Sequence, residues 1–467
     1  MDYICHLLEL IDSYLWGHFL AFALLATGIF LTIRLRFVQF RFFAHGISCV
    51  SGKWDGPDEE GEITYFQALS TALSATIGTG NIAGVATAIA AGGPGAVFWM
   101  WVTALLGMAT KFTCCMLAVR FREIGENGVV AGGPMYYLDK GLGNKPLAVA
   151  FAVFTAIASF GIGNMVQANS IVDPFVHRCS SEYRFVVALT IGILMAIFVG
   201  AVIIGGIKRI AKFAEKVVPF MAFIYVVTAL VIISLNADKI VSVFKMIIAN
   251  AFGIDAIGGG VAGYSVMKAI QFGVARGVFS NESGLGSAAI AHAAAKTKEP
   301  VREGAVAMLG PFIDTIIICS MTAFVILISG IYDDGHLNGA ALSAAAFDKA
   351  LPNIGAHVVS FGLVLFAFTT IIGWSYYGDR SVYYLFGEKG DLATKIYRWL
   401  YVIIIPVGAC VPLKFVWMLS DITNGLMAIP NLIGLIGLSG YVYEMIKEYE
   451  DKLPRMKASL RTERYVR

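Results

Sequence analysis

An all-α membrane protein with many helical spans is the fold that this sequence predicts. Of its 467 residues, 58% are hydrophobic and only 14% are charged, and the mean hydropathy is +0.74. Water-soluble domains carry about a quarter charged residues, because a surface that faces water must be polar. Apolar stretches of about 20 residues, the length at which a helix crosses a bilayer, recur along the chain. Most of the surface is therefore expected to face lipid.

The apolar stretches number eleven. Spans 1 to 11 are predicted at 14–33, 66–91, 96–119, 147–172, 185–206, 217–236, 261–291, 305–330, 356–377, 399–418 and 424–446. With this count, 26 of the 35 Lys and Arg residues fall on the side of the C-terminal tail, and 7 fall on the opposite side. Positive residues accumulate on the cytoplasmic side, so the pattern predicts the N-terminus outside and the C-terminus in the cytoplasm.

Two of these spans contain glycine-rich interruptions. Span 2 has glycines at 78, 80 and 84, and span 7 is interrupted at 271–277 and again at 280–286. The two spans lie five apart, so spans 2–6 and 7–11 would form two halves of opposite orientation, with the binding site at the matching breaks. The alternative is that these glycines only allow close helix packing. Residues 1–65 would then hold the extracellular N-terminus, span 1 and a cytoplasmic link. The first five-helix repeat would cover 66–260, the second 261–446, and a basic cytoplasmic tail 447–467.

The interruption in span 2 suits a zwitterionic ligand. Gly78 and Gly80 lack a Cβ, so the backbone can unwind there at little steric cost. Unwound carbonyls could hold a cation, and free N–H groups at a half-helix N-terminus could hold a carboxylate. Thr79 and Asn81 would add side-chain oxygens beside the break.

Polar side chains in spans 4 and 9 are further candidates. Asn164 and Gln167 lie three residues apart, on one face of span 4. They could bind a substrate or bond to another helix. In span 9, Thr369 and Thr370 offer hydroxyls that suit a hard cation, or that bond to their own backbone. Trp374 could wall a small pocket or anchor the helix.

Four ionisable residues lie at predicted membrane depth, where charges are usually functional. The candidates for gating or ion pairing are Lys111, Arg276, Glu282 and Asp314. Structural ion pairing is the simpler alternative for each of them.

Other classes of function lack their signatures. The chain has no nucleotide-binding GxxxxGK[ST] loop, no His or Cys spacing typical of a metal site, and no constellation of a nucleophile and a base. An enzyme is therefore not expected. The basic tail is interpreted as a solvated cytoplasmic end, and no nucleic-acid partner is predicted.

Long stretches of the chain resemble the alanine/glycine:cation symporter family, within the amino acid-polyamine-organocation superfamily. The matching strings lie at 72–87, 92–96, 98–101, 107–111, 132–137, 277–282 and 428–431. The resemblance covers essentially the whole chain. It implies a LeuT-like core of five plus five helices, preceded by one extra helix, in a bacterial or archaeal plasma membrane.

The resemblance also implies the solutes. Sodium would be co-transported with alanine and glycine, and the preference for L- or D-alanine stays open. The implied substrate contacts are Thr79, Gly80, Asn164, Gln167, Ile270, Gln271, Phe272, Gly273 and Trp374. The implied sodium ligands are Thr76, Thr79, Thr369 and Thr370. Proton coupling with the same substrates is an alternative, and an amino-acid sensor or channel is another.

The sequence departs from the family pattern at a few positions. Phe112, Thr113 and Cys114 stand where members commonly have an aromatic residue, Ala and Glu. Without that acid, Lys111 lacks a local partner. Ser283 also replaces the usual Ala.

Overall fold

Helices account for almost all of the described structure. The computed structural model describes residues 8, 10–11, 13–56, 59–125, 128–176, 179–253, 259–334, 337–411 and 413–466. Within them the only sheet has two short antiparallel strands, β1 (Glu123–Ile124) and β2 (Val130–Ala131), with Glu123 opposite Ala131.

The N-terminal part forms one helix and a surface segment. A π-helical stretch, Leu15–Leu20, continues into α1 (Ala21–Arg34), and two short helices follow, α2 (Val38–Arg41) and α3 (Phe43–Val50). The chain turns sharply between α1 and α2, because Arg36 and Phe37 both adopt left-handed backbone angles, with φ of 54° and 56°.

The next helix is bent at its centre. It consists of α4 (Tyr65–Thr76), a π-helical turn (Gly80–Gly84) and α5 (Val85–Gly92), and its halves meet at 55°. We call it the first broken helix. The side chains of Thr64 and Gln67 cap the start of α4 reciprocally, each accepting a hydrogen bond from the other's backbone N–H.

Helices then follow up to the middle of the chain. They are α6 (Gly95–Arg120), α7 (Pro134–Tyr136) with a π-helical turn (Tyr137–Gly141), α8 (Lys145–Phe160) with a π-helical turn (Gly161–Met165), α9 (Val166–Val176), α10 (Arg184–Ile203), α11 (Gly206–Leu235) and α12 (Ala237–Phe252). The second broken helix consists of α13 (Gly259–Asn281) and α14 (Ala288–His292).

The remaining elements close the structure around both broken helices. They are α15 (Pro300–Ala307), α16 (Leu309–Pro311), a π-helical segment (Phe312–Cys319), α17 (Ser320–Ser329), a 3₁₀ turn (Ile331–Asp334), α18 (Gly339–Ala350), α19 (Gly355–Phe386), a 3₁₀ turn (Gly387–Lys389), α20 (Gly390–Cys410), α21 (Leu413–Gly437) and α22 (Ser439–Val466).

The outward faces of the long helices are apolar. Phe198, Phe223 and Trp399, on α10, α11 and α20, each expose 59% or more of their surface. Large exposed apolar faces on long helices are what contact with lipid requires. In the described residues, six helices are long and apolar enough to span a membrane, and up to eight if each bent pair counts as one span. The chain is thus a multi-pass helical membrane protein, while the count of eleven spans stays a prediction.

Several predicted boundaries were wrong. The last predicted span, 424–446, does not match α21, which runs from Leu413 to Gly437 and meets α22 at 58°. The apolar sequence continues across both ends of α21, so hydropathy could not locate the turns. Helices α12 and α18 lie in predicted links, and α22 extends through the predicted tail.

Candidate transport site

The first broken helix loses its winding at Ile77–Thr79, as predicted. Ile77 is extended, with ψ of 94°, and its carbonyl accepts a hydrogen bond from Thr370 Oγ1 at 3.3 Å. The N–H of Gly78 donates to Asn81 Oδ1 at 2.9 Å. Thr79 is fully buried. The break is therefore a buried turn whose free backbone groups meet side chains from within the helix and from α19.

The second broken helix is interrupted later than predicted. The first interruption expected there, at 271–277, is absent, because α13 continues without a break to Asn281. The glycines of that stretch serve packing instead: a Cβ on Gly273 would lie 2.5 Å from the carbonyl oxygen of Ala96 on α6. The winding is lost only after Asn281, where Glu282, Gly284 and Gly286 have φ of 55°, 93° and 88°.

A buried carboxylate joins the two broken helices. Asp314 is fully buried and accepts hydrogen bonds from Asn81 Nδ2 at 2.6 Å, Ser280 Oγ at 2.9 Å and Thr315 Oγ1 at 2.8 Å. Asn81 belongs to the first broken helix and Ser280 to the second. No Lys or Arg of the described residues pairs with Asp314 within 4 Å. Structural ion pairing was the simpler expectation for Asp314, and the structure instead gives it three neutral donors.

Lys111 and Glu282 lie at the second break without forming an ion pair. Lys111 Nζ donates to the carbonyl of Asn281 at 3.0 Å, at the point where α13 ends. Glu282 accepts from Ser287 Oγ at 2.6 Å, across the break. Lys111 therefore satisfies a C-terminal carbonyl of α13 that the break leaves free. Cys114 stands where the resemblance leads one to expect a Glu that could pair with this lysine.

The two amides of the helix formed by α8 and α9 each keep an unpartnered oxygen. Asn164 Nδ2 donates to the carbonyl of Tyr401 at 2.8 Å, and Gln167 Nε2 donates to Thr79 Oγ1 at 3.3 Å. Asn164 Oδ1 and Gln167 Oε1 have no partner in the described protein, although both residues are buried. Gln167 Oε1 lies over the break, 3.4 Å from where a Cβ on Gly78 would stand. Since buried amide oxygens are normally hydrogen-bonded, these two are available to a ligand.

The predicted sodium ligands are only partly brought together. Thr370 and Thr79 both lie at the first break. Thr76 donates to carbonyls of its own helix, at Ala72 and Leu73. Thr369 donates to its own helix and approaches Met221 on α11, at 3.6 Å.

The predicted substrate residues of α13 lie apart from the first break. Gln271 and Phe272 line a cavity of about 220 Å³ together with Trp16, Arg276 and Asp421. Trp374, by contrast, is buried beside the amides of α8 and α9, because its Cβ packs where a Cβ on Gly163 would stand. Ile270 lies on α13, one turn before the packed Gly273. The substrate roles of Ile270, Gln271, Phe272 and Gly273 remain predictions.

A larger cavity opens next to the first break. It has a volume of about 370 Å³, and its lining includes Ala83, Gly84 and Thr87, which lie one to two turns from the break. Arg276 and Asp421 also line it and form an ion pair at 3.3 Å. The predictions missed Asp421, because they placed it in a link between spans 10 and 11, whereas it lies within α21.

The opposite ends of the two broken helices are tied together. Arg122 donates to four backbone carbonyls, those of Ala293 (2.8 Å), Ala295 (2.6 Å), Thr297 (2.8 Å) and Glu60 (2.7 Å). We call the segments 59–64 and 293–299, which this arginine bridges, the strap. An isolated parallel β-bridge between Ile63 and Ala295 joins the same segments. No motif in the sequence around Arg122 predicted this role.

The fold defines a class of protein: a multi-pass helical membrane protein in which two broken helices meet at a buried polar cluster. The sequence profile of the sodium:alanine symporter family matches residues 1–463. The chain belongs to that family.

Individual relatives agree with this assignment. The chain is 47% identical over 458 residues to the sodium/alanine symporter AgcS of Methanococcus maripaludis, covering 97% of this chain and 98% of the relative. It is 49% identical over 449 residues to an uncharacterised transporter of Haemophilus influenzae, covering 96% of each. The crystal structure of MhsT in complex with L-phenylalanine superposes with a TM-score of 0.57 at 13% identity, covering 80% of this chain and 89% of that one. That likeness concerns the LeuT-like fold alone.

Proposed function

We propose that this chain couples the entry of sodium to the uptake of small neutral amino acids, chiefly alanine and glycine, by alternating access. The observation that carries the proposal is the buried, unpartnered amide oxygen of Gln167 beside the first break, with a second such oxygen on Asn164 one turn earlier in the same helix. Burying an amide without a partner is unfavourable by about 1–3 kcal/mol. A ligand with an ammonium group would relieve that unfavourable energy at both oxygens.

The backbone at the break complements the other end of an amino acid. The first N–H groups of a helix have no partner within it and attract anions. In the first broken helix, these groups belong to residues next to Thr79 and Gly80, where a substrate carboxylate would bind. Backbone groups recognise the carboxylate of any amino acid, so the side-chain space has to provide the selection.

That space is small. A Cβ on Gly80 would lie 3.0 Å from the Cα of Ser280, so the two broken helices are close together at this level. The buried Trp374 closes the side of α19. Such a site favours a methyl group or hydrogen as the side chain, as in alanine and glycine. Gln271 and Phe272 would contact the substrate in the adjoining cavity before it reaches the break. Ile270 and Gly273 would act from the same stretch of α13.

The cation would bind within reach of Asp314. A carboxylate buried at membrane depth without a cationic side chain is unfavourable unless a cation or a proton accompanies it. Carboxylate, amide and hydroxyl oxygens are ligands that hard cations accept. Sodium could also use the carbonyl of Ile77 with the hydroxyl oxygens of Thr79 and Thr370. The hydroxyls of Thr76, Thr369 and Thr370 each donate to a carbonyl of their own helix and keep lone pairs that could face the ion. Because a buried carboxylate can take up a proton instead, proton coupling is the alternative.

Alternating access requires a site that is open to one side of the membrane while it is closed to the other. The cavity at Ala83 and Gly84 would be the extracellular vestibule, and the strap around Arg122 would be the closed cytoplasmic side. Inward opening would then need the segments 59–64 and 293–299 to separate. Arg276, paired with Asp421 at the vestibule, would act in outer gating.

Eleven spans in two inverted halves of five are the topology that best suits the helices. The continuous 56-residue stretch Gly355–Cys410 would be about 84 Å long as one helix, against a bilayer core of about 30 Å. It turns at Gly387–Lys389, so α19 and α20 count as two spans. The broken helices would each open one half. With the N-terminus outside, the 26 Lys and Arg of the predicted inner links and the C-terminal tail face the cytoplasm of a bacterial or archaeal cell. No catalytic role is proposed.

Uptake into proteoliposomes tests the proposal. An inward sodium gradient should accelerate the entry of labelled alanine, compared with choline in place of sodium. Uptake that ignores sodium but stops when the proton gradient collapses would favour proton coupling. Uptake that ignores both would rule out coupling altogether.

Two glycines one turn apart provide a matched pair of variants. Gly80→Phe should abolish alanine binding, because the side chain would have to enter the contact with Ser280. Gly84→Ala should transport as the parent does, because its Cβ would have no atom within 4 Å. Normal transport by Gly80→Phe would show that the site is misplaced.

A further inference from the structure

A second site is suggested by a basic cavity at the surface segment that follows α1. The cavity has a volume of about 730 Å³ and lies between α3 and α22. Its lining includes four basic side chains, those of Arg41, His45, Lys53 and Lys457, and one acidic side chain, that of Glu450. It shares none of its lining with the transport site.

The charges of this cavity are not balanced. Arg41 pairs with Glu450, so these two offset one another. Within the described residues, Lys53 and Lys457 have no ion pair within 4 Å. His45 adds no charge: burial, and then the positive charges of Arg302 and Lys457, lower the pKa of His45 to about 4. At neutral pH the cavity thus keeps two uncompensated positive charges on its rim and neutral polar groups inside.

The same segment carries an apolar face beside the cavity. Phe37, Phe40 and Ile47 expose 53%, 61% and 51% of their surface. They continue the exposed apolar face of α1, where Ile33 is 64% exposed. Short helices with aromatic residues on one side and basic residues on the other lie in the plane of a membrane interface. The cavity would therefore lie at the depth of lipid headgroups.

The turn that brings the segment to this depth is held in place. Arg36 and Phe37 occupy left-handed angles that non-glycine residues seldom adopt. The guanidinium groups of Arg34 and Arg36 lie over the ring of Tyr443 on α22, at 5.2 and 5.5 Å from its centre. These contacts stabilise the strained turn and fix α2 and α3 against α22, so the cavity is a built feature of the fold.

We propose that this cavity binds the phosphate headgroup of an anionic phospholipid of the cytoplasmic leaflet, a proposal that rests on the topology given above but not on the transported solute. Lys53 and Lys457 contact the phosphate, and the acyl chains pass over Phe40 and Ile47. The anionic surface of that leaflet attracts any basic segment near it. This cavity adds two lysines that have no ion pair within the described residues and can bind one phosphate together.

The wall of this cavity also contacts the strap. Arg302 lies over the ring of Trp54 at 4.8 Å and pairs with Glu59, the first residue of the strap, at 3.1 Å. His45 Nε2 lies 2.7 Å from the hydroxyl of Tyr449, to which Arg302 Nε donates at 3.4 Å. A bound headgroup holds α3 and α22 together and so supports the closed cytoplasmic side.

Lipid retention by the purified full-length protein tests this site. Native mass spectrometry would compare phosphatidylglycerol with phosphatidylcholine of the same acyl chains, bound to the parent and to Lys53→Gln/Lys457→Gln. An anionic surface contributes about a fivefold gain in affinity per lysine, so the double variant should bind phosphatidylglycerol roughly 25-fold more weakly. Binding of phosphatidylcholine should not change.

A matched variant separates the site from general charge. Lys389→Gln/Lys395→Gln removes two exposed lysines, one in the turn after α19 and one near the start of α20, on the same proposed side, and should keep parental binding. If both double variants lost phosphatidylglycerol binding equally, the site would be overturned in favour of non-specific attraction. If both kept parental binding, Lys53 and Lys457 would not contact the headgroup, and the site would be overturned as well. A parallel thermal-unfolding series with glycerol phosphate completes the test. Stabilisation of the parent by glycerol phosphate equal to that by the lipid would overturn a lipid ligand in favour of a soluble phosphate.

Discussion

The two broken helices lose their winding for different reasons. In the first, no residue of Ile77–Thr79 has a positive φ, and the turn is shaped by side chains: Asn81 of the same helix bonds the Gly78 N–H, and Thr370 and Gln167 reach it from other helices. In the second, three residues have positive φ: Glu282, Gly284 and Gly286. The second break therefore requires particular backbone angles in addition to its partners Lys111 and Asn431, whereas the first is shaped by side-chain contacts alone.

This difference suggests different roles in transport. A turn held by partners can change when a ligand competes for those partners, because a ligand shifts a conformational equilibrium only through differential contacts. A turn held by its own glycines keeps its shape while the helix halves move around it. Asp314 contacts both broken helices, so it is the group through which ligand binding at the first break could reach the second.

Replacing Asp314 should have the largest effect. Asp314→Ala should lower sodium-driven alanine uptake by about 100-fold, roughly 3 kcal/mol, because it removes the charge and leaves Asn81 and Ser280 without their acceptor. Initial uptake rates in proteoliposomes measure this. Asp314→Asn keeps an acceptor without the charge and should fail equally. Full sodium-dependent uptake by Asp314→Asn would show that transport does not need the negative charge and that Asp314 only links the two broken helices.

The dihedral angles of the second break can be tested through stability. Gly284→Ala should lower the free energy of unfolding by about 1–3 kcal/mol, because alanine is strained at a φ of 93°. Its Cβ would also clash with Leu24, but adding Leu24→Ala should not restore stability, since the strained angle would persist. Thermal unfolding in detergent reports both variants.

Gly277→Ala is the control for this experiment. It lies within α13, and its Cβ would meet only ordinary contacts, at 3.4 Å or more. Alanine in a helix interior is favoured over glycine by up to about 1 kcal/mol, so this variant should be neutral or stabilised. If Gly284→Ala behaves like Gly277→Ala, the second break does not depend on its backbone angles.

The first break should respond to a partner, unlike the second. A Cβ on Gly78 would lie 2.5 Å from Thr370 Oγ1, so Gly78→Ala should destabilise the protein by roughly 1–3 kcal/mol through overpacking. Adding Thr370→Ala removes that oxygen and leaves an ordinary contact of 3.5 Å with the Cβ of residue 370. The double variant should regain most of the loss, as measured by a double-mutant cycle of unfolding. Additive losses would contradict the difference between the breaks.

The smallest predicted effect concerns substrate affinity at the first break. Gln167→Leu should weaken alanine binding by about tenfold, roughly 1.4 kcal/mol, because it removes the oxygen over Gly78. Isothermal titration with and without sodium measures the change. Asn431→Leu is the counterpart at the second break, where Asn431 Nδ2 donates to the carbonyl of Gly284 at 2.8 Å. It should change stability but not affinity, and equal losses of affinity would place substrate contacts at both breaks.

Much of the helical order was readable from composition and periodicity, because lipid imposes long apolar stretches on any chain that crosses it. Short elements were not. The predictions contained neither α12 nor α18, since helices of 16 and 12 residues fall short of the length that marks a span. They also misplaced the ends of α21, because the apolar sequence continues across both of them. Asp421 was missed for that reason, as its assignment to a link hid it among solvated residues.

Glycine patterns located the two broken helices but not the function of each glycine. Gly78 and Gly273 look alike in sequence, yet one lies at a break and the other at a helix contact. Such roles depend on what faces the missing Cβ, which only a folded neighbour defines.

By itself the sequence determined that this chain is a helical membrane protein of a cation-symporter family, with a break near Gly78 and charged groups at membrane depth. Those features follow from local composition and from short strings of residues. Only the tertiary structure decided that Asp314 bonds to both broken helices, that Lys111 caps Asn281, and that Arg122 joins the two segments of the strap. These pairings join residues far apart in the chain, and their geometry is set by how the helices pack.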